Sequence, residues 1–173
     1  MPFSIREYQP EDFEALWRLD QECFPPDISY SQPELRAYMR RRGSFTLVAT
    51  GQARGTASGV ANDDPSEVAT NIETGDDEWK IAGFLVAHGG STGHIITIDV
   101  AASARRSGVG SQLLRNAEDR LRAAGSRAVG LETAVDNLSA LAFYKRHGYT
   151  VVKTWPRYYS NGVDALVLSK NLA

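Results

Sequence analysis

Apolar positions change their period several times along the chain, and each change marks an element. Phe3 and Ile5 alternate with polar neighbours as far as Tyr8, which predicts a short strand. Phe13, Leu16, Trp17 and the stretch from Asp20 to Phe24 then recur at helical spacing behind Pro10, and Pro25-Pro26 stop that helix. Ser31 and Glu34 have capping-box spacing ahead of Leu35, Tyr38 and Met39, so a second, shorter helix ends near Gly43. Two β-rich runs follow, Phe45 to Thr50 and Trp79 to Ala87. Between them the chain is rich in Gly, Ala, Ser, Thr, Asn and Asp and almost devoid of large apolar residues. Such a composition buries too little surface to offset its ordering entropy, which predicts a flexible insertion over residues 52–78.

The second half alternates strand and helix. His94 to Val100 reads as an apolar strand, and Val109, Leu113, Leu114, Ala117, Leu121 and Ala124 trace one helical face that Gly125 ends. Ala128 to Val135 is the next strand. Asn137 precedes a helix carrying Leu138, Leu141, Ala142 and Tyr144, stopped by Gly148, and strands follow at Thr150 to Trp155 and Val163 to Ser169. The predicted order is therefore β α α β β β α β α β β, without an internal repeat, in a single domain over 1–173.

Composition narrows the function classes. At 173 residues, 42% hydrophobic and 23% charged, the chain matches a globular domain. No run of eighteen apolar residues and no signal-like N-terminal segment occurs, so no membrane association is expected. The lone Cys23 cannot form an internal disulfide and reads as a buried thiol, which fits a cytoplasmic protein. A net charge of -2 argues against direct nucleic-acid binding. His88, His94 and His147 lack the partner spacing of a metal site or a triad, so no metal is expected; His147 suits a helix C-terminus.

One segment carries phosphate-binding chemistry. In Arg105-Arg106-Ser107-Gly108-Val109-Gly110 a strand passes through a short loop into a glycine-bearing helix start. The first helical turn has unpaired N–H groups and the positive end of the macrodipole, and glycines admit a ligand to the main chain. The same residues also suit a plain strand-to-helix turn. They fit neither a P-loop, since Ser111-Gln112 follow Gly110, nor a dinucleotide fingerprint, whose third glycine is replaced by Leu113.

The loop resembles motif A of the GNAT N-acetyltransferase superfamily, with Arg105, Gly108 and Gly110 at its signature positions. The segment from Leu131 to Tyr149 resembles motif B, through Asn137, Ala140, Phe143, Tyr144, Gly148 and Tyr149. The resemblance spans residues 94 to 150 and implies an α/β (α+β) fold: a mixed, mostly antiparallel sheet with splayed central strands and helices on both faces. It implies acetyl-CoA as cosubstrate, its diphosphate on the amides of Arg106, Ser107, Gly108, Val109, Gly110 and Ser111. Pantetheine would lie along Ile98, Asp99 and Val100, pairing with the main chain of Ile98 and Val100. Asn137 and Tyr144 would also face the cosubstrate. By itself Tyr144 reads as core; the family makes it the acid that protonates departing CoA thiolate.

Within the superfamily the chain resembles the ribosomal-protein alanine N-acetyltransferases, through Glu132, Phe24-Pro25-Pro26 and Arg157-Tyr158-Tyr159. That resemblance implies direct transfer, in a ternary complex, to a protein N-terminal α-amine. An α-amine has a pKa near 8 and lysine one near 10.4, so neutral lysine costs roughly 3 kcal/mol more. Glu132 would be the base, directly or through water, and Phe24, Tyr30, Tyr158 and Tyr159 would line the acceptor groove; otherwise Glu132 is an ion-paired strand carboxylate and the tyrosines surface aromatics. A small amine such as a polyamine, antibiotic or amino acid is the alternative acceptor, and a non-catalytic acyl-CoA-binding module the alternative class. The oligomeric expectation is a monomer or weak homodimer.

Overall fold

A computed structural model describes residues 3–52 and 79–173, so the insertion expected over 52–78 lies, apart from Gln52, outside the described residues. The elements follow the predicted order: β1 (Phe3–Glu7), α1 (Phe13–Cys23), α2 (Gln32–Arg40), β2 (Ser44–Gln52), β3 (Trp79–His88), β4 (Thr92–Val100), α3 (Val109–Ala123), β5 (Ala128–Ala134), α4 (Leu138–Arg146), β6 (Thr150–Trp155) and β7 (Ala165–Asn171). The capping box forms as read: Ser31 accepts the Glu34 N–H while Glu34 accepts the Ser31 N–H. The last strand begins two residues later than expected. Val163 and Asp164 are instead spent on the preceding loop, the Val163 carbonyl accepting the Tyr159 N–H at 3.1 Å and the Asp164 carboxylate accepting the Arg157 N–H at 2.7 Å.

The strands form a sheet in the order β1-β2-β3-β4-β5-β7-β6, antiparallel except between β4 and β5. Helices cover both faces. On the α3 and α4 side Leu113 and Leu121 pack with Leu47, Leu85, Ile95 and Leu131 of the sheet; on the other side Phe13, Leu16 and Leu35 of α1 and α2 pack with Val48, Phe84 and Val86. A buried network braces α3 against the far end of the sheet: Glu118 accepts the Tyr149 hydroxyl at 3.0 Å and the Lys170 ammonium at 2.6 Å. No helix among the described residues is long and apolar enough to cross a membrane.

Two features of β4 shape the centre of the molecule. Its parallel pairing with β5 covers only Thr92↔Ala128, Gly93↔Val129 and His94↔Gly130, after which the two strands run on unpaired and the sheet forks. On its other edge β4 carries a bulge: Ile95 and Thr97 face Ala87 and Val86, which leaves Ile96 without a partner. The bulge exchanges the faces. Ile95 packs under α3, whereas Thr97 and Asp99 pair with Val86 and Phe84 on the α1 side.

Close approach of β3 and β4 beyond the bulge demands glycine at position 83. A Cβ there would stand 2.6 Å from the Asp99 carbonyl oxygen, backbone that cannot swing aside. Gly83→Ala is therefore expected to destabilise the fold by about 1–3 kcal/mol. Urea unfolding checks this, and an unchanged midpoint would contradict it.

Candidate active site

The loop after β4 is shaped by its backbone. A 3-10 turn at Ala102–Ala104 leads through extended Arg105 to Arg106 and Gly108, both left-handed with φ of 62° and 92°. Arg106 bears the strain that glycine escapes, about 1–3 kcal/mol for a side-chain-bearing residue. The first bond of α3 runs from the Gln112 N–H to the Gly108 carbonyl at 3.0 Å, so the helix leaves the N–H groups of Val109, Gly110 and Ser111 unused. Left-handed turns followed by free amides at a helix N-terminus form a concave anion site. Ser107 points the other way, with both its N–H and its hydroxyl donating to the Ala104 carbonyl. Arg105 turns inward, its Nε donating to the Val100 carbonyl at 3.2 Å. Asn137 caps α4, its side-chain oxygen accepting the Ala140 N–H at 3.1 Å.

The fork exposes one edge of β4. Because the Ala101 N–H donates to Ala82 of β3, alternation turns the main-chain groups of Ile96, Ile98 and Val100 away from β3 and toward the gap. A pantetheine-like chain of amides could add there as a strand. Asp99, grouped with Ile98 and Val100 on the sequence, does not belong with them. Its main chain faces Phe84 of β3 and its side chain, 1% exposed, is buried on the α1 side.

At the mouth of the fork two side chains meet that are 38 residues apart. His94 Nε2 stands 2.6 Å from Glu132 Oε2, both half-buried, and the His88 ring packs edge-on against His94 with centroids 5.5 Å apart. The sequence offers His94 no spacing for a metal site or a triad, and it leaves an ion pair open for Glu132 without naming the partner, which is His94. Helix periodicity and motif spacing could not show this pair, because it depends on the register of β4 on β5. The arrangement is that of a carboxylate orienting an imidazole, able to accept a proton from a group brought to the fork.

Tyr144 approaches the fork from the opposite face. It is 5% exposed, its ring set edge-on to Phe143 and Tyr149 at 5.2 and 5.4 Å, so the core reading of its ring holds. Burial first, then the nearby Asp99 and Tyr159, push its phenol well above the usual tyrosine range. On the α1 side, the Tyr30 hydroxyl donates to the Ile96 carbonyl at 3.4 Å, and the Tyr30 and Tyr38 rings meet edge-on at 5.2 Å. Tyr158 and Tyr159 stand edge-on to one another at 5.1 Å in the β6–β7 loop, close enough to Glu132 for its charge to raise both phenols; burial is the larger cause and brings Tyr159 to about 12. Half-buried Phe24 closes α1. The two loops are tied to each other by the Ser160 hydroxyl, which donates to the Asp27 carbonyl at 2.8 Å.

Beneath Tyr30 lies Asp20, fully buried, accepting the Tyr30 N–H at 2.7 Å and the Gln21 amide at 3.0 Å. Desolvation outweighs those bonds and lifts its carboxyl to about 6. Between the ordinary carboxylate range and about 6 the folded state thus holds a proton that the unfolded chain has lost, so stability falls as pH rises through this window. The full loss is on the order of 3 kcal/mol, of which about 2 kcal/mol falls between pH 4.5 and 7.5, where urea unfolding measures it. Asp20→Asn should shrink the difference; an undiminished difference would place its origin elsewhere.

Comparison with known proteins agrees with this geometry. A family model described as the acetyltransferase (GNAT) family matches residues 13–149. An N-alpha-acetyltransferase of Sulfolobus acidocaldarius is 35% identical over 171 residues, covering 98% of this chain and 93% of its own. N-alpha-acetyltransferase 30 of Schizosaccharomyces pombe is 36% identical over 80 residues, 45% of this chain; the match spans about half of that relative, 53%. Among solved structures, Ard1 from Thermoplasma volcanium shares the fold with a TM-score of 0.77 at 24% identity, covering 100% of this chain and 99% of its own.

Proposed function

The chain belongs to the acetyltransferase (GNAT) family, and from that premise we propose that it carries the acetyl group of acetyl-CoA to the α-amine of a protein N-terminus. The amides of Gly108, Val109, Gly110 and Ser111 suit the cosubstrate's diphosphate, and the edge of β4 that β5 leaves open, at the main chain of Ile98 and the N–H of Val100, suits its pantetheine. Acetyl-CoA supplies an acetyl group activated as a thioester. Glu132, with His94, accepts the proton shed by the attacking amine, directly or through water, as the carbon–nitrogen bond forms. Tyr144 gives its hydroxyl proton to the sulfur as the carbon–sulfur bond breaks. Phe24, Tyr30, Tyr158 and Tyr159 are assigned to the acceptor groove.

The observation that carries the choice of acceptor is the Ser160–Asp27 bond joining the two loops beside the Glu132–His94 pair. A joined rim favours a chain end over a lysine in mid-chain, whose flanking peptide must pass on both sides. Ionisation acts in the same direction, since the neutral α-amine is more accessible than neutral lysine. N-alpha-acetyltransferases at 35% and 36% identity support the same class. The ribosomal-protein alanine group is one of several sharing this fold, so its particular substrate is not carried over. A turnover panel of free N-terminal peptides, N-blocked peptides with internal lysines, and small amines provides the test. Free termini should be used best; transfer to polyamines or aminoglycosides with none to any peptide terminus would overturn the reading.

A further inference from the structure

Tyr30 sits in the loop between α1 and α2, and that loop gives its peptide unit no main-chain support. Among the described residues neither its N–H nor its carbonyl bonds another backbone group. Three side chains of α1 do so instead. Asp20 Oδ2 accepts the Tyr30 N–H at 2.7 Å, and Gln21 Nε2 and Trp17 Nε1 donate to the Tyr30 carbonyl at 2.8 and 3.1 Å. Spaced i, i+3 and i+4, the three rise from one face of the helix. Further bonds join them to one another and to the loop: Gln21 Nε2 donates to Asp20 Oδ2 at 3.0 Å, and the Ser29 hydroxyl donates to Gln21 Oε1 at 3.2 Å. The far end of Tyr30 is held as well, its hydroxyl by the Ile96 carbonyl at 3.4 Å and its ring by Tyr38.

We propose that Trp17, Asp20 and Gln21 form a clamp that positions Tyr30 for the acceptor peptide. All three are positioning residues, acting through the Tyr30 peptide unit and touching neither substrate. Asp20 shows the point most clearly. It is fully buried and makes no salt bridge among the described residues, so its carboxyl carries a desolvation cost that an apolar side chain would avoid. What it secures is the Tyr30 N–H. Without the clamp the loop would sample other conformations, and apparent affinity falls in proportion to the time spent in the competent one. The effect belongs to binding. Once the peptide is seated the groove is formed, so KM for the peptide rises while kcat holds.

The inference rests on the place given to Tyr30 in the acceptor groove, and two readouts keep the claims apart. Hydrogen exchange of the Tyr30 amide, followed by NMR in the unliganded protein, reports the clamp; KM for a free-terminus peptide reports its use. Gln21 is exposed, so Gln21→Ala should fold as the parent does. It should speed the exchange and raise the peptide KM, each by about three- to tenfold, the factor that one hydrogen bond carries. The acetyl-CoA affinity and kcat should stay within about twofold of the parent. Trp17→Phe, which keeps an aromatic ring and removes the N–H donor, should act in the same direction. Asp20→Ala should exceed both, and Asp20→Asn, whose amide oxygen still accepts the Tyr30 N–H, should restore most of the loss. Unchanged Tyr30 exchange in folded Gln21→Ala and Trp17→Phe proteins would refute the clamp. Faster exchange with an unchanged peptide KM, in a protein whose Tyr30→Ala variant does raise that KM, would refute the positioning role and leave the groove assignment standing. A peptide KM untouched by Tyr30→Ala would remove Tyr30 from the groove and the positioning role with it.

Discussion

Replacing Glu132 by Gln is expected to lower kcat by about 10²–10⁴-fold while the protein remains folded, the range for loss of a positioned proton acceptor. The loss should be greatest at low pH, where the acceptor amine is mostly protonated and needs a base most. His94→Ala should fall in the same range, because the 2.6 Å contact makes imidazole and carboxylate one unit. For the same reason the double variant should be little worse than the worse single one, as groups acting together are not additive. Binding of acetyl-CoA should hardly change in any of them, since its assigned contacts lie at the other end of β4. The measurement is kcat and kcat/KM against pH with a free-terminus peptide. A Glu132→Gln profile that overlays the parent would reduce the pair to a structural bond.

Gly108→Val should cost acetyl-CoA affinity on the order of a hundredfold, about 2.7 kcal/mol. Two effects add. Gly108 has a φ of 92°, where a β-branched residue is strained, so the backbone tends to leave the geometry that aligns the amides. Its missing side chain also points into open space, with no protein atom within 4 Å of an ideal Cβ, and that space is where the anion would sit. Nothing in the core would be displaced, so the melting temperature should move little compared with Gly83→Ala. Gly110 differs, because a Cβ there would meet Phe143 and Val100 at ordinary contact distances of 3.4 and 3.5 Å. Gly110→Ala should thus be the milder change. Calorimetric titration with acetyl-CoA decides the matter, and full affinity in a folded Gly108→Val protein would remove the diphosphate assignment.

What could be read from the chain was whatever local chemistry determines. Helix starts at Ser31 and Asn137, the glycine-led entry to α3 and the element order all depend on neighbours a few residues away, and they are found as expected. The His94–Glu132 pair was hidden because only the fork of two parallel strands brings those residues together. The face that the Asp99 side chain takes was hidden for a subtler reason. Gly93, Ile95, Thr97 and Asp99 are buried at every second position, which looks like one continuous face. The bulge at Ile96 interrupts that face without interrupting the pattern, so periodicity cannot detect it.

That bulge also gives β4 one residue that its ladder does not use. Ile95 and Thr97 already face the adjacent residues Ala87 and Val86, so deleting Ile96 would close the ladder and leave Thr97 and Asp99 opposite Val86 and Phe84. The distal half would keep its faces, and the carbonyl that accepts the Tyr30 hydroxyl would be lost. An ordinary strand turns over when it is shortened by one residue, whereas this one carries the spare position that absorbs the change.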